Sequence, residues 1–152
     1  MKIPRGFALV LTLAAAACSR QAPPDADVQA ERDQKFEAMM TNVSLVGHST
    51  MFGKEGISGQ EEYVIDKVSR VAGDRWLFHT TMKLGSQEVS VPIPITILWA
   101  GDTPVITLTD LSIPGLGSYS ARVLLYRDHY SGTWLGGEGG GHVFGDIVRR
   151  GD

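Results

Sequence analysis

Residues 73–102 read GDRWLFHTTMKLGSQEVSVPIPITILWAGD, and this stretch decides the fold. Three turn signals, Gly73-Asp74, Gly85-Ser86 and Gly101-Asp102, bound two runs rich in Trp, Thr, Val and Ile. β-Branched and aromatic runs joined by two-residue glycine turns are hairpins, and strands joined so tightly must be antiparallel. In the second run Val89, Val91, Ile93, Ile95, Ile97 and Trp99 fall on alternate positions and share one face. In the first, Trp76, Phe78 and Met82 oppose Leu77, His79, Thr81 and Lys83. Pro92 and Pro94 lie two apart, so the N–H groups they lack belong to one side of the strand. This predicts a kinked long strand that pairs with the preceding strand before the prolines and with the following strand after them.

Working outward, the same texture predicts strands near 43–52, 61–71, 75–84, 87–99, 104–111, 118–126, 129–135 and 142–149. The connections are Gly53 to Gly59, the three hairpin turns, Pro114-Gly115 with Gly117, Arg127-Asp128, and the glycine run 136–141. Tyr119, Ala121, Val123 and Leu125 form a second inward stripe; the last strand leaves its face open, with Val143 and Ile147 opposite Phe144 and Val148. Ahead of the strands, Val28, Phe36, Met39 and Met40 lie along one stripe, with Glu31 and Lys35 at i,i+4. They predict a short amphipathic helix over 27–41, N-capped by Asp27, that packs on the outside or end of the β domain or covers a cavity as a lid. The expected fold is all-β: an eight-stranded antiparallel up-and-down barrel with a short N-terminal helix, the alternative being a two-sheet sandwich.

Gly132-Thr133-Trp134 is similar to the Gly-x-Trp signature of the lipocalin and avidin families, where it lies on the first strand; here it falls on the seventh. The resemblance implies a lipocalin-like barrel. From about Phe36 onward, the segments Trp99 to Thr107, Ile113 to Gly117, Tyr119 to Arg122, Gly132 to Trp134 and Gly141-His142 resemble a family of bacterial envelope proteins. That resemblance brings no activity and no catalytic residues.

At the amino end Lys2 and Arg5 precede an apolar run from Phe7 to Leu13, then Ala14 to Ala17, then Cys18, the only cysteine. The order resembles a bacterial lipoprotein signal, with Ala15 where leucine is usual. The resemblance implies cleavage before Cys18, acylation of its thiol and new amine, and, with Ser19 following, an outer-membrane anchor on the periplasmic side. The apolar run is shorter than the roughly 20 residues that cross a bilayer. The chain therefore divides into a signal peptide at 1–17, a lipidated tether at 18–27 containing Pro23-Pro24, and one barrel domain with its helix at 28–152. With its cysteine committed to acylation, the domain must be held together by a hydrophobic core.

Losing Lys2 and Arg5 takes the basic count from 14 to 12 against 17 acidic residues, a formal balance of −5. A mildly acidic domain without a Lys/Arg block excludes nucleic acid as a partner; the membrane contact belongs to the acyl chains on Cys18. The chain lacks Gly-x-Ser-x-Gly, His-Glu-x-x-His and dinucleotide-binding glycine patterns. No catalytic residue, cofactor or metal is expected: His142 and Asp146 share a strand face but stand about 13 Å apart at ~3.3 Å per residue, and His48, His79 and His129 lie on separate strands. The glycine-rich run 136–141, interrupted by Glu138, lacks the Gly-Lys-Ser/Thr ending of a phosphate loop. The remaining expectation is a non-enzymatic envelope protein that binds a small apolar ligand inside the barrel, with Trp76, Phe78, Trp99, Tyr119 and Trp134 lining the site or simply filling the core. A periplasmic scaffold or protein-interaction module is the second reading, and a hydrolase built from dispersed side chains the third.

Overall fold

The computed structural model describes residues 26–84, 87–113, 117–137 and 139–151; Cys18, the signal peptide and most of the tether lie outside them, as do the Gly85-Ser86 and Pro114-Gly115 turns. The helix α1 (Ala26–Met40) leads into eight strands: β1 (Val43–Ser49), β2 (Glu61–Ala72), β3 (Arg75–Leu84), β4 (Gln87–Ala100), β5 (Thr103–Ile113), β6 (Gly117–Tyr126), β7 (His129–Gly136) and β8 (Gly139–Arg149). Each strand pairs antiparallel with the next, and β8 returns to β1 from Val43↔Arg149 to Ser49↔Val143, closing an up-and-down barrel. The topology is that of a lipocalin-like fold, and the sandwich alternative falls away. Gly73 and Gly101 open their two-residue turns with φ of 56° and 68°, the positive values a hairpin asks of its first turn residue.

The helix begins one residue earlier than the spacing predicts, which places Asp27 in the first turn. It ends at Met40, and two residues on Asn42 takes a left-handed φ of 57°, which suits a residue that stops a helix. Strand alternation means that α1 shares one end of the barrel with the Gly73-Asp74, Gly101-Asp102 and Arg127-Asp128 turns. There Phe36 and Met40, one turn apart, are fully buried against the barrel interior, each contributing roughly 1.5–3 kcal/mol. The helix is also tied down by polar contacts. Arg70 pairs with the buried Asp33 at 2.7 Å, and Arg149 donates to the Thr41 and Ala38 carbonyls at 2.8 and 3.1 Å.

Above this plug the core is a column of inward residues: Val43, Ile65, Ile95, Ile97, Ile106 and Val123 are all buried. Val143 and Ile147 join it while Phe144 and Val148 are exposed, which settles the face of the last strand.

Two expectations are corrected. The glycine run is not one connection, because β8 starts at Gly139 and pairs Gly140 with Leu135 and Gly141 with Trp134. On their other side Phe52 N–H and Thr50 N–H donate to the Gly140 and His142 carbonyls at 2.7 and 2.8 Å, so β1 extends its ladder past Ser49. The prolines bear out half of the prediction: β4 pairs with β5 only after them, as expected, but its pairing with β3 does not stop at them. β3 pairs with β4 throughout, from Leu84↔Gln87 to Arg75↔Thr96, whereas β5 joins β4 only over Thr96–Ala100. In a hairpin whose closing pair is Leu84↔Gln87, Pro92 and Pro94 occupy the positions that do not bond to β3. Their missing donors therefore face β5, and among the described residues no pairing joins Ser90–Ile95 to Leu108–Ile113. β5 bends away there through a bulge between Leu108 and Leu111, with Asp110 at φ 49°. Ser120 Oγ accepts from the Asp110 N–H at 2.9 Å, and the Arg122 guanidinium donates to Leu108 O and Thr109 Oγ1, satisfying the bulged backbone.

Candidate functional site

The five aromatic residues expected to meet a ligand divide between the two ends of the barrel. Trp76 and Phe78 are each 1% exposed and pack on Phe36, with ring centroids 4.8 and 6.2 Å away. Trp99 joins the same cluster, 5.8 Å from Phe36, with the Arg32 guanidinium 4.3 Å above its ring. These three residues and α1 fill the closed end. Tyr119 and Trp134 sit further along the inward face, toward the end that carries residues 50–60; we call this end the mouth. Tyr119 lays its ring over Gly136, its cross-strand partner, and Trp134 stands between Ala121 and Gly141. Both are partly buried, and the Trp134 Nε1–H is buried with no hydrogen-bond partner.

At the mouth a carboxylate and a phenol reach the inward face itself. Glu61 and Tyr63 fall on the inward face of β2, opposite Gly47 and Leu45. The Glu61 carboxylate accepts from Ser49 Oγ and Tyr63 Oη, both at 2.7 Å. Burial pushes this carboxyl up, but hydrogen bonds from Ser49, Tyr63 and Ser58 and the His48 charge more than offset it, leaving Glu61 below its ordinary range. Burial, the Glu61 bond and the Glu61 charge raise the Tyr63 phenol. Tyr63 nevertheless remains 48% exposed.

A second feature lies on the β1–β8 seam, where Gly47 pairs with Gly145. The close approach of backbone requires both glycines: a Cβ on Gly47 would lie 2.1 Å from the Phe144 carbonyl, and one on Gly145 would lie 2.2 Å from the Val46 carbonyl. Tyr130, the cross-strand partner of Gly145, ends with its hydroxyl 2.5 Å from where a Gly47 Cβ would be. Tyr130 is 3% exposed and its hydroxyl has no partner, a cost of about 1–3 kcal/mol for a buried polar group. Burial, with the Glu61 and Asp146 charges, pushes its phenol up to about 12. A groove of about 550 Å³ runs over the seam, lined by Tyr130, Val46, His48, Gln60, Phe144 and Asp146 together with the two glycines.

Comparison with protein-family models, curated proteins and solved structures found no match.

The histidines are dispersed, and His48, His129 and His142 each have a separate partner. His129 Nδ1 meets Asp146 Oδ1 at 2.7 Å on the exposed surface, His48 Nδ1 lies 3.1 Å from the Ser58 carbonyl, and His142 Nδ1 lies 3.2 Å from Thr50 Oγ1. Among the described residues no three His, Cys, Asp or Glu side chains gather as metal ligands would. Sequence reasoning missed Glu61, Tyr130 and the His129–Asp146 pair. The pair follows from the β7–β8 register, which sets His129 opposite Asp146, and a Tyr-to-Gly-to-Gly row across three strands appears only once the barrel closes.

Proposed function

We propose that this protein is a lipid-anchored, non-catalytic binding protein of the bacterial outer membrane, facing the periplasm, that receives a small apolar ligand at the barrel mouth beside Tyr119 and Trp134. The observation that carries the reading is the unequal filling of the inward face. One end is plugged by Phe36 and Met40, while the other leaves Tyr63 half exposed and a buried Trp134 Nε1–H unpartnered. A ligand with an apolar body and one acceptor atom would satisfy both. The anchor rests on the residues around Cys18.

Displacement of a fluorescent fatty acid by decanoate, followed on the full chain in detergent, tests the binding. Saturable uptake weakened about tenfold by Trp134→Phe supports it, and a folded barrel that takes up neither probe refutes it. Labelled palmitate should enter the wild-type chain and be absent from Cys18→Ser; equal labelling of the two would remove the anchor.

A second reading, an interaction module, is favoured by the exposed side chains of Met51, Phe52 and Ile57 on the segment beside the mouth. A photocrosslinker at Phe52 should then capture one defined envelope protein, and diffuse labelling would count against a dedicated partner.

A further inference from the structure

We propose that the barrel mouth selects amphiphiles with a cationic amine head: the ammonium group settles against the Glu61 carboxylate on the inward face of β2, and the apolar body lies along Tyr119 and Trp134. This inference rests on the ligand site proposed at the mouth and specifies the head group that site takes.

The distribution of charge inside the barrel determines the head group. Strand alternation fixes which side chains turn inward, and among the described strand residues the basic ones that do so, Arg70 and Arg149, belong to the closed end, where they hold Asp33 and the α1 carbonyls. Above them the inward face of the described strands bears a single charged side chain, Glu61, opposite the bare Gly47. Hydrogen bonds from Ser49, Tyr63 and Ser58 hold its carboxyl below the ordinary range, so it is ionised at neutral pH. Ser49 Oγ takes one site on Oε1 and Tyr63 Oη one on Oε2, which leaves each oxygen a free lone pair. The charge itself is unbalanced: among the described residues no lysine or arginine pairs with Glu61. His48, whose charge it feels, alternates with Gly47 and Ser49 and therefore points outward.

Head groups then separate by charge. A carboxylate or phosphate entering the mouth meets a like charge with no cation to offset it, between low-dielectric walls that strengthen the repulsion. A hydroxyl gains a hydrogen bond to the carboxylate but no charge pairing. An ammonium gains both, donating to the free lone pairs of Glu61 in charge-assisted bonds. The half-exposed Tyr63, whose hydroxyl is bonded to the same carboxylate, adds an aromatic ring that favours a cation. A metal ion is poorly served, because one carboxylate falls short of the oxygen shell a divalent cation needs, and among the described residues no three His, Cys, Asp or Glu side chains gather.

The test uses the full chain in a non-ionic detergent, with the neutral dye Nile red as reporter, displaced in turn by decylammonium, decanol and decanoate. Decylammonium should displace the dye at about one-tenth of the concentration that decanoate needs, with decanol between them. Glu61→Gln should close that gap, whereas Glu62→Gln, which removes the same charge from the exposed outward position next to it, should keep it. Equal displacement by the three ligands, a gap that survives Glu61→Gln, or one that narrows as much in Glu62→Gln overturns the head-group preference while leaving the mouth site in place. A folded barrel that never takes up the dye, or yields it to none of the three, removes the preference and the mouth site together.

Discussion

The plugged end of the barrel and the seam beneath Tyr130 are built from the same alternation, yet only the plug sets its buried polar group against an opposite charge. At the plug, Asp33 is buried with Arg70 2.7 Å from its carboxylate, and the surrounding rings of Phe36, Trp76 and Trp99 meet edge to face. At the seam, Tyr130 is as deeply buried as Phe36, but its hydroxyl is left without a partner. The plug offsets its buried carboxylate with a guanidinium, although Arg32 Nε there has no partner, whereas the seam gives its hydroxyl neither a charge nor a bond.

The strongest way to break this comparison is to empty the plug. Phe36→Ala should cost about 3–5 kcal/mol, read as a fall in the urea midpoint with a red shift of Trp76 and Trp99 emission; a loss under ~1 kcal/mol would mean that α1 is not part of the core. Next in size is Asp33→Ala, which leaves Arg70 with only the Gly73 carbonyl. Because the arginine side chain is 38% exposed, we expect about 1–2 kcal/mol rather than the cost of a fully buried pair. Tyr130→Phe should have the opposite sign, raising the urea midpoint by the equivalent of about 1 kcal/mol at an unchanged m-value. A destabilised Tyr130→Phe would show that the hydroxyl is satisfied in solution and would erase the contrast between the two regions.

The smallest effect is in acid. Asp66 is held below its ordinary 3.8 by bonds from Thr81 and Arg150 and by the Arg150 charge, and Glu61 below its ordinary 4.5. A carboxyl with a lowered folded-state pKa binds protons more readily when unfolded. Its stabilisation is therefore present above the ordinary value and is lost as the pH falls through the folded one. Urea midpoints measured from about pH 6 to about pH 3 should decline, and Asp66→Asn should flatten that decline. A variant whose acid limb matches the wild type would show that Asp66 adds nothing.

Much of the fold was legible because its determinants are local. Gly73-Asp74 and Gly101-Asp102 fix hairpins by themselves, and the stripes from Ile93 to Trp99 and from Tyr119 to Leu125 fix which face turns inward. What escaped depends on partners distant in the chain. Gly139 to Gly141 read as a loop because glycine serves loops and crowded strands alike, and only the neighbouring Thr50–Phe52 backbone tells the two apart. Trp76, Phe78 and Trp99 suit a cavity wall as well as a core until Phe36 arrives from α1. Tyr130 carried no motif at all, because its significance comes from the bare backbone of Gly47 and Gly145 on the next two strands.

The parting of β4 from β5 has one further outcome. An unzipped stretch of sheet ordinarily invites a foreign strand, which is how edge-to-edge aggregates begin. Here an intruder laid beside Pro92 and Pro94 would meet carbonyls but no N–H at two alternate rungs, so it could not knit a continuous ladder. The gap in the wall thus carries its own guard against recruiting neighbours.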